Sequence, residues 1–315
     1  MVTITMVKRL LQTISASVLV IGLALCSPLT AGIAHASWGV NNQHQLTPLY
    51  VYPDWWNTGN AWSYVCSHSN ASGIGSTVIA NANNGPTSSR NTDYAQAIEI
   101  CHDGGHNVVG YVDTSYGAVP LTTVKANIDK WYDQYNGDNN GVYDLGATGR
   151  DSQIDGIFLD QASNFPTDIV TSGDNISVTS YYRQIFNYIK DKAPGDYNDV
   201  IANPGAAASS DWQLDNTSQN PTQIADELVV FEGTAATLAS YSQPSWVTNY
   251  PASDISMLIY DVPSGNVASV CSTLKSYHAG LVDVTNETIH TSPVATPWNF
   301  LQNSTYWSSF RSSCG

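Results

Sequence analysis

Positive charge is what this chain has least of. Its 315 residues hold 11 Lys and Arg against 26 Asp and Glu, a formal net charge of −15 at pH 7. Such a surface repels phosphate backbones and anionic lipid headgroups, so neither nucleic acid nor a membrane surface is expected as a partner. Nucleotide signatures are absent as well. No Gly-x-Gly-x-x-Gly follows the first strand candidate and no Lys-bearing phosphate loop occurs, which removes the main signs of a dinucleotide or P-loop fold. A Gly-x-Ser-x-Gly elbow is also missing.

Metal-ligand spacing is lacking too. There is no Cys-x-x-Cys or Cys-x-x-His, and the histidines are scattered; His102 and His106 straddle a Gly104-Gly105 helix stop. No metal site and no cofactor are implied. Beyond Leu29 no apolar run approaches the roughly 20 residues that a membrane-spanning helix needs.

What the N-terminus does hold is an export signal over residues 1–36. Lys8 and Arg9 open it, an apolar run from Leu10 to Leu29 follows, and Ala34-His35-Ala36 supplies a small-x-small cleavage site. Losing Lys8 and Arg9 takes the net charge from −15 to −17. The mature chain is expected to be secreted and monomeric, with residues 37–45 a flexible segment and 46–315 one domain. Of five cysteines, Cys26 leaves with the signal. Cys66, Cys101, Cys271 and Cys314 remain, an even number that suggests two disulfides. Three pairings are possible. Cys66–Cys101 and Cys271–Cys314 are favoured, since each joins neighbouring helices of a sequential fold.

From Leu46 onward one phrase repeats: a short β-branched or aromatic run, a helical stretch, then a Gly- or Pro-marked break. The strand candidates are Thr47–Pro53, Ser76–Ala82, Asn107–Thr114, Ile154–Asp160, Asp199–Asn203, Glu227–Glu232, Ile255–Asp261 and Gly280–Val284. Helical spacing is predicted over Tyr94–His102, Leu121–Tyr135, Tyr181–Lys192 and Val267–Ala279. Asn136–Gly149 and Asp211–Thr222 read as long surface loops. Eight short apolar strands alternating with helices imply parallel pairing and a closed (β/α)8 barrel of the TIM type, an α/β fold in one domain.

In such barrels the active site is built at the carboxyl ends of the strands. That rule gathers acids, amides and rings at one rim, the mixture a sugar needs: polar groups for its hydroxyls and aromatic faces for its C–H faces. Asp160 and Glu232, ending strands four and six, are the predicted catalytic pair, one a general acid and the other an ionised nucleophile or base. Tyr52, Asn81, Asn83, Tyr111, Asp113, Tyr116, Gln161, Asn203, Tyr260 and Asp261 are predicted substrate contacts. Asp155, at the opposite end of its strand, is predicted to be structural. Trp298 and Trp307 are read as helix packing.

Thr47-Pro-Leu-Tyr-Val-Tyr-Pro53, Thr77-Val-Ile-Ala-Asn-Ala-Asn-Asn-Gly-Pro86, Val109-Gly-Tyr-Val-Asp-Thr-Ser-Tyr-Gly117 and Ile154-Asp-Gly-Ile-Phe-Leu-Asp160 resemble, in order, motifs of the spherulin-four (spherulation-specific) family. The likeness covers about Leu46 to Cys314. It implies a (β/α)8 barrel related to glycoside hydrolase family 135, whose characterised members are endo-acting α-1,4-galactosaminidases of N-acetylgalactosamine-containing polymers. The family's acidic dyad falls on Asp160 and Gln161, and its later glutamate on Glu232. Gln161 departs from the usual Glu and cannot exchange a proton. The resemblance thus implies a secreted glycosidase acting on a hexosamine polysaccharide. The alternative is a barrel with weakened or no turnover that serves as a carbohydrate-binding or cell-envelope protein.

Overall fold

Eight parallel strands close on themselves in sequence order, β1 pairing with both β2 and β8. A computed structural model describes residues 43–54, 56–57, 60–67, 75–135, 152–193, 197–217, 221–289, 296–298 and 304–315. The expected export signal, residues 37–42, the predicted loop 136–149 and part of the predicted loop 211–222 lie outside the described residues. The strands are β1 (His44–Leu49), β2 (Thr77–Ala80), β3 (Asn107–Asp113), β4 (Gly156–Asp160), β5 (Asp199–Asn203), β6 (Glu227–Thr234), β7 (Ile255–Tyr260) and β8 (Leu281–Val284). The helices are α1 (Ala61–Cys66), α2 (Thr92–Asp103), α3 (Leu121–Gln134), α4 (Val178–Lys192), α5 (Ala235–Leu238), α6 (Val267–Ser276) and α7 (Ser304–Cys314). The barrel predicted from strand–helix alternation is the fold observed. Between β5 and β6 the described residues hold no helix, and the crossover there is irregular.

Strand periodicity divides the core in two. Inside the barrel, each strand contributes one apolar residue to a plug: Leu46, Ile79, Val109, Phe158, Ile201, Val229, Leu258 and Leu281. Their neighbours Val78, Val108, Ile157, Leu159, Val200, Val230, Met257 and Val282 face outward against the helices. Full burial of such a side chain stabilises by about 1.5–3 kcal/mol. On α4 the buried positions Val178, Tyr181, Tyr182, Ile185, Phe186 and Ile189 follow the three-and-four spacing of a single helix face. The helix starts where the Ser177 side chain accepts the Ser180 N–H. Gly110 of β3 has no side chain because a Cβ there would lie 2.6 Å from the Trp131 ring of α3.

The first strand begins earlier than its apolar run suggests. Gln43, His44 and Gln45, expected to belong to a loose terminus, are buried. One polar atom of each glutamine is matched inside the fold: Gln43 Nε2 donates to the Ala279 carbonyl at 2.8 Å, and Gln45 Oε1 accepts from Ser76 Oγ at 3.0 Å. His44 Nε2 meets Thr77 Oγ1 at 3.1 Å. Paired polar groups can be buried at little cost, and composition alone does not show the pairing. Asp155 is structural, as predicted: it accepts from the Val108 N–H and meets His102 Nε2 at 2.9 Å.

Two disulfides, Cys66–Cys101 and Cys271–Cys314, join α1 to α2 and α6 to α7. This is the favoured one of the three pairings. The chains they close span 35 and 43 residues.

Candidate active site

Two residues beyond the apolar plug, the same inward alternation presents Asn81, Tyr111, Asp160, Asn203 and Tyr260 to the carboxyl end of the barrel. Tyr50, four beyond Leu46, joins them from the continuation of β1. Glu232 needs an extra step. It follows the inward Val229 by three, a spacing that would ordinarily turn it outward. The register of β6 on β7 shifts between Val229 and Phe231, so that Glu232 pairs with Leu258. A bulge of this kind re-aims every side chain after it. Phe231 thereby packs outward on Tyr241, with ring centroids 4.8 Å apart, and Glu232 faces in.

The resulting pocket has a volume of about 700 Å³. Asp160 and Glu232 lie together in it, with Asn203 between them. One amide nitrogen, Asn203 Nδ2, donates to Asp160 Oδ1 at 2.8 Å and to Glu232 Oε2 at 2.6 Å. Those two oxygens are therefore no farther apart than the sum of the distances, 5.4 Å. The opposite oxygens are held as well. Tyr111 Oη donates to Asp160 Oδ2 at 2.7 Å, and the Trp298 indole N–H donates to Glu232 Oε1 at 3.0 Å.

Burial pushes the Asp160 carboxyl up to about 6, and the Glu232 charge adds to the rise; donors from Tyr111, the Gln161 N–H and Asn203 oppose it. Burial likewise raises the phenols of Tyr50, Tyr111, Tyr116 and Tyr260 above their ordinary value. No Lys, Arg or His lines the pocket among the described residues. A pair of close carboxyls in which one proton resides near pH 6, surrounded by rings and amides, is equipped for acid–base and nucleophilic work on a polar, uncharged or cationic substrate.

Of the predicted residues, Asp160, Glu232, Asn81, Asn83, Tyr111, Tyr116, Gln161, Asn203 and Tyr260 line this one pocket. Gln161 adopts φ +50°, and its carbonyl accepts from the Tyr116 N–H at 2.6 Å and the Thr114 hydroxyl at 2.9 Å. That left-handed turn sends the chain out of β4 beneath Tyr116, whose ring is 59 % exposed at the mouth.

Three predicted contacts stand elsewhere. Tyr52 is outside the pocket; its hydroxyl donates to Asp93 and accepts from Asn91 Nδ2, tying its loop to the start of α2. Strand pairing of β1 ends at Leu49, so Tyr50 takes the inward place instead. Asp113 accepts from the Ser115 N–H at 2.8 Å and thus holds the turn Ser115–Gly117 that carries Tyr116. Asp261 is a turn residue with φ +56°, its N–H donating to the Glu287 carbonyl at 2.8 Å.

Tyr50, Asn84 and Trp298 line the pocket without having been predicted there. Tyr50 was within reach of strict period-two counting from Leu46. Trp298 was not: it sits on the connection after β8, where local sequence resembles helix packing, and reaches the site because its carbonyl accepts the Tyr50 N–H at 3.1 Å. Its ring packs edge-on to Tyr260 at 6.2 Å.

Comparison with known proteins agrees with this architecture. The structure of Sph3 from Aspergillus clavatus, solved in complex with GalNAc, superposes with a TM-score of 0.60 at 20 % identity, covering 86 % of this chain and 97 % of that one. Spherulin-4 of Physarum polycephalum is 32 % identical over 253 residues, 76 % of this chain. The aligned region spans 62 % of the length of Spherulin-4. The model of spherulation-specific family 4 matches residues 45–313, nearly all of the barrel. The chain belongs to spherulation-specific family 4.

Proposed function

We propose that this protein is a secreted glycoside hydrolase that cleaves α-1,4-linked galactosamine and N-acetylgalactosamine polymers internally, with Asp160 and Glu232 as its catalytic residues. The observation that carries the reading is the Asn203 bridge, which keeps the two carboxyls within 5.4 Å of each other in an open pocket. Glycoside hydrolysis asks for two carboxyls flanking the scissile bond, about 5–5.5 Å apart when configuration is retained and wider when a water must fit between them. A bound of 5.4 Å on the bridged oxygens fits the closer, retaining arrangement, which is the one proposed. One carboxyl protonates the leaving oxygen as the other attacks C1; the C1–oxygen bond of the linkage breaks and a glycosyl ester forms. Water then attacks C1, gives its proton to the first carboxyl and frees the second.

The GalNAc in the Sph3 structure and the family resemblance support this choice of sugar class. Rings of Tyr50, Tyr111, Tyr116, Tyr260 and Trp298 offer faces for a pyranose, and Asn81, Asn83, Asn84 and Gln161 offer amides for hydroxyl or acetamido groups. Among the described residues the lining holds no cationic side chain, which disfavours uronic or sulfated sugars.

Gln161 supports a second reading, a barrel that binds the polymer without cleaving it, because it lines the pocket and has no proton to exchange. One experiment separates the two. Mature protein is incubated with partly deacetylated galactosaminogalactan, and soluble oligosaccharides are measured for wild type, Asp160→Asn and Glu232→Gln. Release by wild type alone supports hydrolysis; retention on the polymer with equal, negligible release by all three supports binding.

A further inference from the structure

We infer that Asn203 is the positioning residue of the Asp160–Glu232 pair: its single amide group holds the two carboxyls apart and facing one space, and so sets how they share a proton. The inference rests on the proposed reading of the pocket, yet its main test needs no turnover.

Asn203 ends β5, between the strands that carry the two acids, and is buried. Its orientation is fixed from behind. Oδ1 accepts the Gly205 N–H at 2.9 Å, which turns Nδ2 toward the pair. An amide nitrogen has two hydrogens. One serves Asp160 and the other Glu232, leaving none for a sugar hydroxyl. Sequence reading assigned Asn203 to the substrate; its hydrogen bonds assign it to the acids.

The pair needs such a group. Two carboxyls this close repel when both are ionised, and with one proton they can draw together into a direct O–H···O⁻ bond of about 2.5–2.7 Å. Either outcome closes or distorts the gap that an anomeric carbon must enter. A neutral amide prevents both, since it stabilises each anion without carrying a proton of its own to exchange. No other residue among the described ones hydrogen-bonds both carboxyls. Tyr111 touches only Asp160, and Trp298 only Glu232.

The remaining titratable groups that line the pocket with the pair are Tyr50 from β1, Tyr111 from β3, Tyr116 from the following turn and Tyr260 from β7; Asp113 on β3 and Asp283 on β8 stand outside that lining. Burial holds the four phenols above their ordinary value, so they stay neutral where the carboxyls titrate. Asp113 is engaged by Ser115 and Asn84, and burial keeps the Asp283 carboxyl well above the usual range.

The test labels Asp and Glu side-chain carboxyls with ¹³C and follows their shifts against pH in wild type, Asn203→Ala and Asn203→Asp. Wild type shows a step of the pair near pH 6. In Asn203→Ala that step rises by about one pH unit, because a donor to the anions is gone. In Asn203→Asp it rises further, because a third carboxyl joins. On polymer, kcat falls about 100-fold in both variants while KM stays within about threefold. A folded variant that titrates and turns over like wild type overturns the inference. Should Asn203→Ala not fold, the equally shaped Asn203→Asp decides. Should wild type release no sugar, the hydrolase reading fails and the titration alone decides the role of Asn203.

Discussion

The Trp298 indole N–H lies 3.0 Å from Glu232 Oε1, joining side chains 66 residues apart. The contact ties the connection after β8 to the end of β6 and fixes the rotation of the carboxyl about its long side chain. Because Asn203 holds the other oxygen, Glu232 is fixed at both, and neither contact brings a charge.

Trp298→Phe keeps an aromatic ring in the inner core while removing the donor and part of the ring volume. The expected result is a fall in kcat of about 10-fold, close to the roughly 1.5 kcal/mol of a hydrogen bond to a charged group. Steady-state kinetics on a soluble galactosamine oligomer check it, with thermal unfolding alongside. An unchanged kcat in a folded protein shows that the indole N–H does not hold Glu232 for catalysis.

Activity should follow the proton of the pair. The Asp160 carboxyl is raised to about 6 by burial and by the Glu232 charge. That value belongs to the coupled pair, which works with one carboxyl protonated and one ionised. Above about pH 6 the shared proton is lost, so kcat/KM should fall on the alkaline side and peak in mild acid. A profile flat from pH 5 to 8 contradicts the pairing.

Stability has its own acid preference, set at the opposite end of the barrel. Burial first, then the Asp226 charge, pushes Asp199 up to about 8, and burial followed by the Asp199 charge raises Glu227. For an acid raised on folding, the unfolded chain gives up its proton first as pH increases. The stabilisation is complete below the ordinary value of about 4 and is lost as pH climbs toward 8. Melting temperature should therefore be higher at pH 5 than at pH 8. Asn substituted at Asp199 should flatten that difference, and an equal pH response in the variant counts against the assignment.

The disulfides close chains of 35 and 43 residues. Loop-closure entropy gives each about 4 kcal/mol. Replacing Cys271 and Cys314 together by Ser should lower unfolding free energy by about 2–5 kcal/mol in denaturant titration. A loss under 1 kcal/mol argues that α6 and α7 are held by packing alone.

How far the sequence discloses this site depends on how local each determinant is. The eight strands are legible because each is a short apolar run, and the rim because acids, amides and tyrosines gather at or just after most strand ends. The sequence points to Tyr52 rather than Tyr50 because the aromatic run continues past Leu49, where β1 stops pairing. Glu232 lines the pocket although the simple alternation from Val229 points it outward; the bulge that re-aims it leaves no mark in residue types. Trp298 lies on a connection that follows no period, so only the folded chain brings its N–H to the acid. Asn203 was found as a rim amide, but its role depends on the three partners its fold assigns it.

In the proposed mechanism Asp160 and Glu232 act together on one glycosidic bond with retention. Proton NMR of the first reducing ends released from an α-1,4-linked galactosamine polymer tests it most directly. Retention gives the α-anomer first, with β appearing only as the sugar mutarotates, and Asp160→Asn releases none. Initial β-anomer, or release by Asp160→Asn at the wild-type rate, contradicts it.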